Sequence, residues 1–173
     1  MEIRFEEIDK KQIKPFEYIA KWSNDPEIKY LIGANFSEEE MPDVTKEQIH
    51  TNANKDHKKY IYLILDGDEP IGDLSITIDP PHLNKKEEHT GWISICIGEG
   101  SYRGKGVAFQ AMIFLEETCK ALGLKRIELG VFEYNERARA FYEKLGYKTF
   151  ARIEDFVYFD GKWRADIRME KYL

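Results

Sequence analysis

The chain has 173 residues and a mass of 20.4 kDa, near the commonest size for one globular unit, so a single domain over 1–173 is expected. Apolar residues make up 42% and aromatics 13%, enough for a sizeable core, which argues against global disorder. With 26 Lys and Arg against 32 Asp and Glu the net charge is −6, which speaks against a nucleic-acid partner and mildly favours a cationic one.

The longest apolar run, Tyr60 to Leu65, is far short of the roughly 18 residues a membrane span needs. The opening Met1 to Glu7 reads as a first strand rather than an apolar leader. Cys96 and Cys119 cannot build a disulfide framework, and with His50, His57, His82 and His89 scattered no Cys/His spacing resembles a metal site. No metal, no membrane and a cytoplasmic location are the expectations.

In chain order, Arg4 to Ile8 alternates loosely as a strand, and Lys11 to Trp22 has helical spacing with Pro15 in its first turns. Asn24-Asp25-Pro26 reads as a turn or a new helix start. Phe36 to Glu47 carries Glu38, Glu39, Glu40, Asp43 and Glu47 against Lys46, and Thr45 is placed to cap a second helix. Tyr60 to Leu65, the turn Asp66-Gly67 and Pro70 to Ile78 form a predicted hairpin. A strand at Gly91 to Ile97, a helix from about Lys105 to Leu122 and a strand at Lys125 to Phe132 follow. A helix over Asn135 to Leu145, a strand from Tyr147, and a last hairpin Phe156 to Phe159, Asp160-Gly161, Lys162 to Met169 end the chain. The order predicts an α+β or mixed α/β fold with a largely antiparallel sheet and at least one parallel crossover.

The stretch Ile95-Cys-Ile-Gly-Glu-Gly-Ser-Tyr-Arg-Gly-Lys-Gly-Val-Ala108 leaves a strand and enters a helix. Gly104 and Gly106 let the backbone turn tightly, so amide N–H groups converge at the positive end of the helix, a ready site for phosphate. Arg103 and Lys105 bring positive charge there. Neither nucleotide-loop pattern fits: Glu99 and Gly106 break G-x-x-x-x-G-K-[ST], and Arg103 or Phe109 breaks G-x-G-x-x-G. An ordinary glycine-rich turn is the competing reading. The second stretch, Asn135 to Tyr147, is an amphipathic helix capped by Asn135 and ended by Gly146; taken alone, its Tyr142 reads as core.

Together these stretches resemble the GNAT superfamily of acetyl-coenzyme A-dependent N-acetyltransferases. Arg103-x-x-Gly106-x-Ala108 is similar to its Q/R-x-x-G-x-G/A loop, and Asn135, Ala138 and Phe141 to Tyr147 are similar to its downstream helix. Trp22-x-Asn24-Asp25-Pro26 and Phe159-x-Gly161-x-Trp163-Arg164 to Met169 look like the branch holding ribosomal-protein N-terminal and spermidine acetyltransferases.

The resemblance implies a twisted sheet of about seven strands in which Gly91 to Ile97 and Lys125 to Phe132 splay apart around pantetheine. It implies that the backbone of Ile95, Cys96 and Ile97 pairs with pantetheine, and that amides from Arg103, Gly104, Lys105, Gly106, Val107 and Ala108 hold the pyrophosphate. Asn135 and Ala138 would line the far wall of the channel, and Tyr142 would protonate the leaving thiolate. The reaction implied is direct transfer of an acetyl group to a primary amine: a polyamine, an aminoglycoside, an amino-acid analogue or a peptide N-terminus. A homodimer is compatible with it. No base is evident: Trp92 holds the place where relatives often carry a glutamate, and Glu88, His89, Ser94 and Asp73 are nearby candidates. Cys96 reads as a small buried hydrophobe rather than an acyl carrier. A silent acyl-coenzyme A-binding module is the alternative function, and Phe36 to Glu47 is either an amine-attracting segment or a solvated loop.

Overall fold

The computed structural model describes residues 1–56 and 58–173, so His57 lies outside the described residues. Its strands are β1 (Ile3–Glu7), β2 (Lys59–Asp66), β3 (Glu69–Ile78), β4 (Thr90–Cys96), β5 (Arg126–Phe132), β6 (Lys148–Phe159) and β7 (Lys162–Tyr172). Its helices are α1 (Pro15–Ser23), α2 (Lys29–Ile32), α3 (Lys46–Lys55), α4 (Val107–Ala121) and α5 (Glu136–Lys144). The strands form one sheet in the order β1-β2-β3-β4-β5-β7-β6, antiparallel throughout except for β4 beside β5.

The continuous apolar run of β2 is explained by cover on both faces of the sheet. Tyr62 and Ile64 pack with Leu74, Ile76, Ile127 and Leu129 under Val107, Ala111 and Leu115 of α4. Ile61, Leu63 and Leu65 face the other way, against Phe16 and Trp22 of α1 and Ala53 of α3.

Several boundaries differ from the predicted ones for physical reasons. α1 starts at Pro15 rather than Lys11, because proline suits the first helical position, where no N–H is needed. α4 starts at Val107 rather than Lys105, because Gly106 takes φ +82° and caps the helix from a left-handed conformation. The Thr45 cap is present, with Gln48 completing a capping box. The two strands expected after Tyr147 are one strand, β6, bent by irregularities at Thr149/Ala151 and Ile153/Val157, with Asp155 at φ +51°.

The functional consequence lies at the parallel pair. β4 and β5 are in register only at Thr90–Arg126, Gly91–Ile127 and Trp92–Glu128. β4 continues to Cys96 and β5 to Phe132, so the two strands part beyond Trp92 and leave facing edges without partners. This is the splay the sequence resemblance implied.

Candidate active site

The loop from β4 to α4 forms a backbone cradle. Gly104 at φ +75° and Gly106 at φ +82° reverse the chain twice before the helix begins. Among the described residues, no backbone carbonyl accepts from the amides of Gly104 to Phe109, whereas the Gln110 amide already bonds the Gly106 carbonyl at 3.2 Å. Those free donors stand at the positive end of a 15-residue helix. A cavity of about 440 Å³ opens over them and reaches Ile95, Cys96, Ile97, Asn135 and Tyr142.

Arg103 lines this cavity, but its guanidinium is taken up by partners within the protein. Its Nε donates to the Ile97 carbonyl at 3.0 Å and its Nη2 to the Gly98 carbonyl at 2.8 Å. Its Nη1 donates to Glu27 at 3.0 Å, so the guanidinium braces the loop and is already paired. The Nε bond takes up the Ile97 carbonyl, and the Cys96 carbonyl lies against Gly72 of β3, which leaves Ile95 as the β4 backbone group on the open edge. Lys105 is exposed. Arg137, which the sequence reading missed, lines this cavity, with Nη2 only 3.4 Å from where a Cβ on Gly104 would stand. Its place two residues after the cap Asn135 was the available signal.

Asn135 caps α5, its Oδ1 accepting from the Ala138 amide at 3.3 Å. Two turns on from Asn135, Tyr142 packs beside Phe141 and Tyr147, with ring centroids at 5.3 and 5.8 Å. Burial pushes its phenol up to about 12, so it stays protonated at neutral pH. Tyr142, Asn135, Ala138 and Ile95 line both the cradle cavity and a second one of about 620 Å³. Tyr142 therefore stands where the two spaces meet.

The second cavity is walled by aliphatic and aromatic side chains, among them Trp92, Phe132 and Phe156, with Asp166 and Arg168 of β7 and His82 as its charged or titratable members together with Tyr142. Its wall is fixed by a buried charge network. Glu128 is fully buried and accepts from Arg126 Nη2 at 2.8 Å, Arg168 Nη1 at 3.1 Å and the amides of Asn84 and Lys85 at 2.8 and 3.2 Å. Glu170 accepts from Arg126 Nε at 2.7 Å and Lys85 Nζ at 2.8 Å. These bonds clamp the 79–88 loop to β5 and β7.

Of the base candidates, Ser94 lines the second cavity and exchanges a 2.7 Å hydrogen bond with Ser75. Glu88, His89 and Asp73 line neither cavity. Asp73 is raised to about 7 by burial, with Lys59 opposing. Burial, then Asp73, pushes the Cys96 thiol well up, so it is held unreactive as a small buried side chain. In the acidic segment Asp43 pairs with Lys29 at 2.7 Å, while Glu38, Glu39 and Glu40 lie exposed beside Tyr158 and Phe159.

The cradle, the splay and the free β4 edge fit a coenzyme A thioester: backbone donors for phosphate, then the gap between β4 and β5 beyond Trp92. Among the described residues no helix is long and apolar enough to cross a membrane. Solved structures similar to this chain include a putative phosphinothricin N-acetyltransferase (TM-score 0.79, 18% identity, 99% of this chain and 98% of that one). The spermidine N-acetyltransferase of Vibrio cholerae, solved with CoA and spermine, has a TM-score of 0.78 at 18% identity over 99% and 95% of the two chains. The ribosomal-protein-alanine N-acetyltransferase of Brucella melitensis gives 0.77 at 17% over all of both. In sequence, the uncharacterised N-acetyltransferase YdgE of Bacillus subtilis (strain 168) is 38% identical over 82 residues, 47% of this chain and 50% of its own length. The N-acetyltransferase 9-like protein of Caenorhabditis briggsae is 28% identical over 141 residues, 76% of this chain and 69% of its own. The chain thus spans half the length of YdgE, and 30% of the related YycN of the same Bacillus strain. The acetyltransferase (GNAT) family matches residues 16–147, and the chain belongs to that family.

Proposed function

We propose that the protein transfers an acetyl group from acetyl-coenzyme A directly to a primary amine. The observation that carries this reading is Tyr142, a half-buried, protonated phenol at the junction of the backbone cradle and a second, roomy cavity. A module that only bound the cofactor would need neither the second cavity nor a phenol at the join. The acceptor classes open to it are those of its neighbours in fold: polyamines, protein N-termini and amino-acid analogues.

Amides of residues 104–108 hold the pyrophosphate, and Asn135 and Ala138 wall the pantetheine. The backbone of Ile95 completes its open edge on it and orients the acyl carbonyl. When bound, the donor substrate supplies a thioester carbonyl carbon as electrophile. Tyr142 holds a proton for the departing sulfur. Placing amine and thioester together lowers the barrier by up to roughly 7–11 kcal/mol, and a placed proton donor adds about 10²–10⁴-fold. Tyr142→Phe keeps the ring and removes the hydroxyl. In single-turnover acetylation its rate should fall about 10²-fold, with coenzyme A affinity and Tm little changed. An unchanged rate would show that Tyr142 only packs.

A further inference from the structure

Acyl transfer needs a neutral amine, yet an alkylamine with pKa near 10.4 is neutral in fewer than about one molecule in a thousand at pH 7. Something in the acceptor cavity has to take a proton. Among the described residues, the buried side-chain polar atom left without a hydrogen-bond partner is Asp166 Oδ1. Asp166 is 3% exposed and lines the second cavity. Its other oxygen, Oδ2, accepts from Arg168 Nε at 2.7 Å. Across the strand pair stands Gly130, whose missing side chain is what leaves room for the carboxylate: a Cβ there would lie 2.9 Å from Oδ2 and 3.0 Å from Oδ1. A buried carboxylate oxygen without a donor costs free energy, and proteins keep few of them. Asp166 lines the second cavity, a space that a ligand could fill.

We propose that Asp166 Oδ1 receives the acceptor's amine and takes its proton, and that the acceptor is a primary amine on an apolar body carrying no second positive charge. This rests on the acetyl-transfer reading above. The walls set the second part: around the carboxylate stand Trp92, Phe132, Ile153 and Phe156, and no second free acid lines the cavity among the described residues. The charged and titratable groups packed around Asp166 are Arg168 of β7, Glu128 of β5, His82 of the 79–88 loop, Tyr134 after β5 and Tyr142 of α5, while β6 presents Ile153 and Phe156. Burial raises the Asp166 carboxyl and Arg168 opposes it, which brings a weak base closer to the pH at which it must accept a proton. The protons balance. The ammonium gives one proton to Oδ1, which later returns it to solvent. The nitrogen bonds the acetyl carbon as that carbon's bond to sulfur breaks. The second ammonium proton replaces the one Tyr142 passes to sulfur, leaving an amide and a thiol.

The test uses the whole chain with acetyl-coenzyme A and two probes, phenethylamine and spermidine. Wild type should prefer phenethylamine in kcat/KM by at least about tenfold, as one to two buried methylene equivalents and an unpaired second charge require. Asp166→Asn should lose about 10²-fold in kcat/KM for phenethylamine and flatten the acid limb of its pH profile, with the coenzyme A Kd within about twofold. Because Asp166→Asn also weakens the pairing of Arg168, Gly130→Ala provides a second arm: it should raise KM for phenethylamine while leaving Asp166 charged. Retention of kcat/KM within about threefold by both variants, or preference for spermidine, would overturn the assignment. Should wild type acetylate no amine, phenethylamine is titrated calorimetrically into the coenzyme A complex. Binding weakened at least about tenfold by Asp166→Asn then upholds the Asp166 site and refutes acetyl transfer; absent or equal binding refutes the site.

Discussion

Glu128 is the residue whose loss should cost the fold most while sparing the cofactor cradle. Its side chain is fully buried, and four donors converge on it: Arg126 and the Lys85 amide on Oε1, Arg168 and the Asn84 amide on Oε2. Glu128→Gln has the same shape but turns one oxygen into an NH₂ group. Whichever way the amide is flipped, two of the four donors then face a donor, and both guanidinium groups lose a counter-charge. Breaking a buried ion pair by removing one partner costs about 3–5 kcal/mol. At roughly 2–4 °C per kcal/mol for a chain of this size, Tm should fall by about 6–20 °C. Thermal unfolding followed by circular dichroism at pH 7 measures this, and calorimetric titration should find the coenzyme A Kd within about threefold, since the cradle lies on α4. The pH dependence has a definite sign. Burial alone would raise the Glu128 carboxyl, but bonds from Asn84, Arg126 and Lys85 outweigh it and hold it below the usual 4.5. The stability it contributes is therefore present above about pH 4.5 and is lost as pH falls through the lower folded value, so wild type and variant should converge in acid. A Tm within about 2 °C of wild type at pH 7, or a gap unchanged down to pH 3, would refute the network as the clamp on the 79–88 loop.

Two further outcomes follow from the cradle. Gly106→Val forces a β-branched side chain to φ +82° and should raise the coenzyme A Kd more than tenfold, whereas Lys105→Ala, removing an exposed charge, should raise it less than about threefold at 0.15 M salt. Gly98→Ala would set a Cβ 2.3 Å from the buried Trp22 ring and should lower stability by about 1–3 kcal/mol in chemical denaturation, with activity falling through a displaced loop.

Much of the fold was legible because its signals are local. Asp66-Gly67 and Asp160-Gly161 mark hairpins, Thr45 with Gln48 marks a helix start, and the glycines before α4 mark the cradle. The acceptor side was not legible. Along β7, Ala165, Ile167 and Met169 alternate with Asp166 and Arg168, a pattern that reads as one buried and one solvated face. In the fold Ala165 to Met169 are all buried, because β6 and the 79–88 loop cover the polar face and its charges neutralise one another there. The pairing of Arg103 was hidden for the same reason. Its charge pointed to phosphate, but its partners, Glu27 and the carbonyls of Ile97 and Gly98, are set by tertiary packing that no spacing rule contains.

The charge network and the site are two consequences of one strand pair. Over Thr90 to Trp92, β4 is held to β5 by backbone pairing, and Arg126 Nη1, a member of the Glu128 network, donates to Thr90 Oγ1 at 3.4 Å. Just beyond, the Trp92 ring lies against Gly130, its Cη2 3.1 Å from where a Cβ would stand, with the Arg168 guanidinium 4.8 Å from the ring centroid and His82 edge-on at 4.6 Å. The indole fills the space beside the diverging strands, and so the pair closes at one end and stays open at the other. An open strand edge carries N–H and C=O groups that cost free energy unless something satisfies them. Water does so weakly, and an extended amide-bearing ligand does so along the strand. The backbone pairing that ends at Trp92 therefore leaves the β4 edge beyond it unpaired toward β5, between the backbone cradle on one side and a carboxylate-bearing cavity on the other.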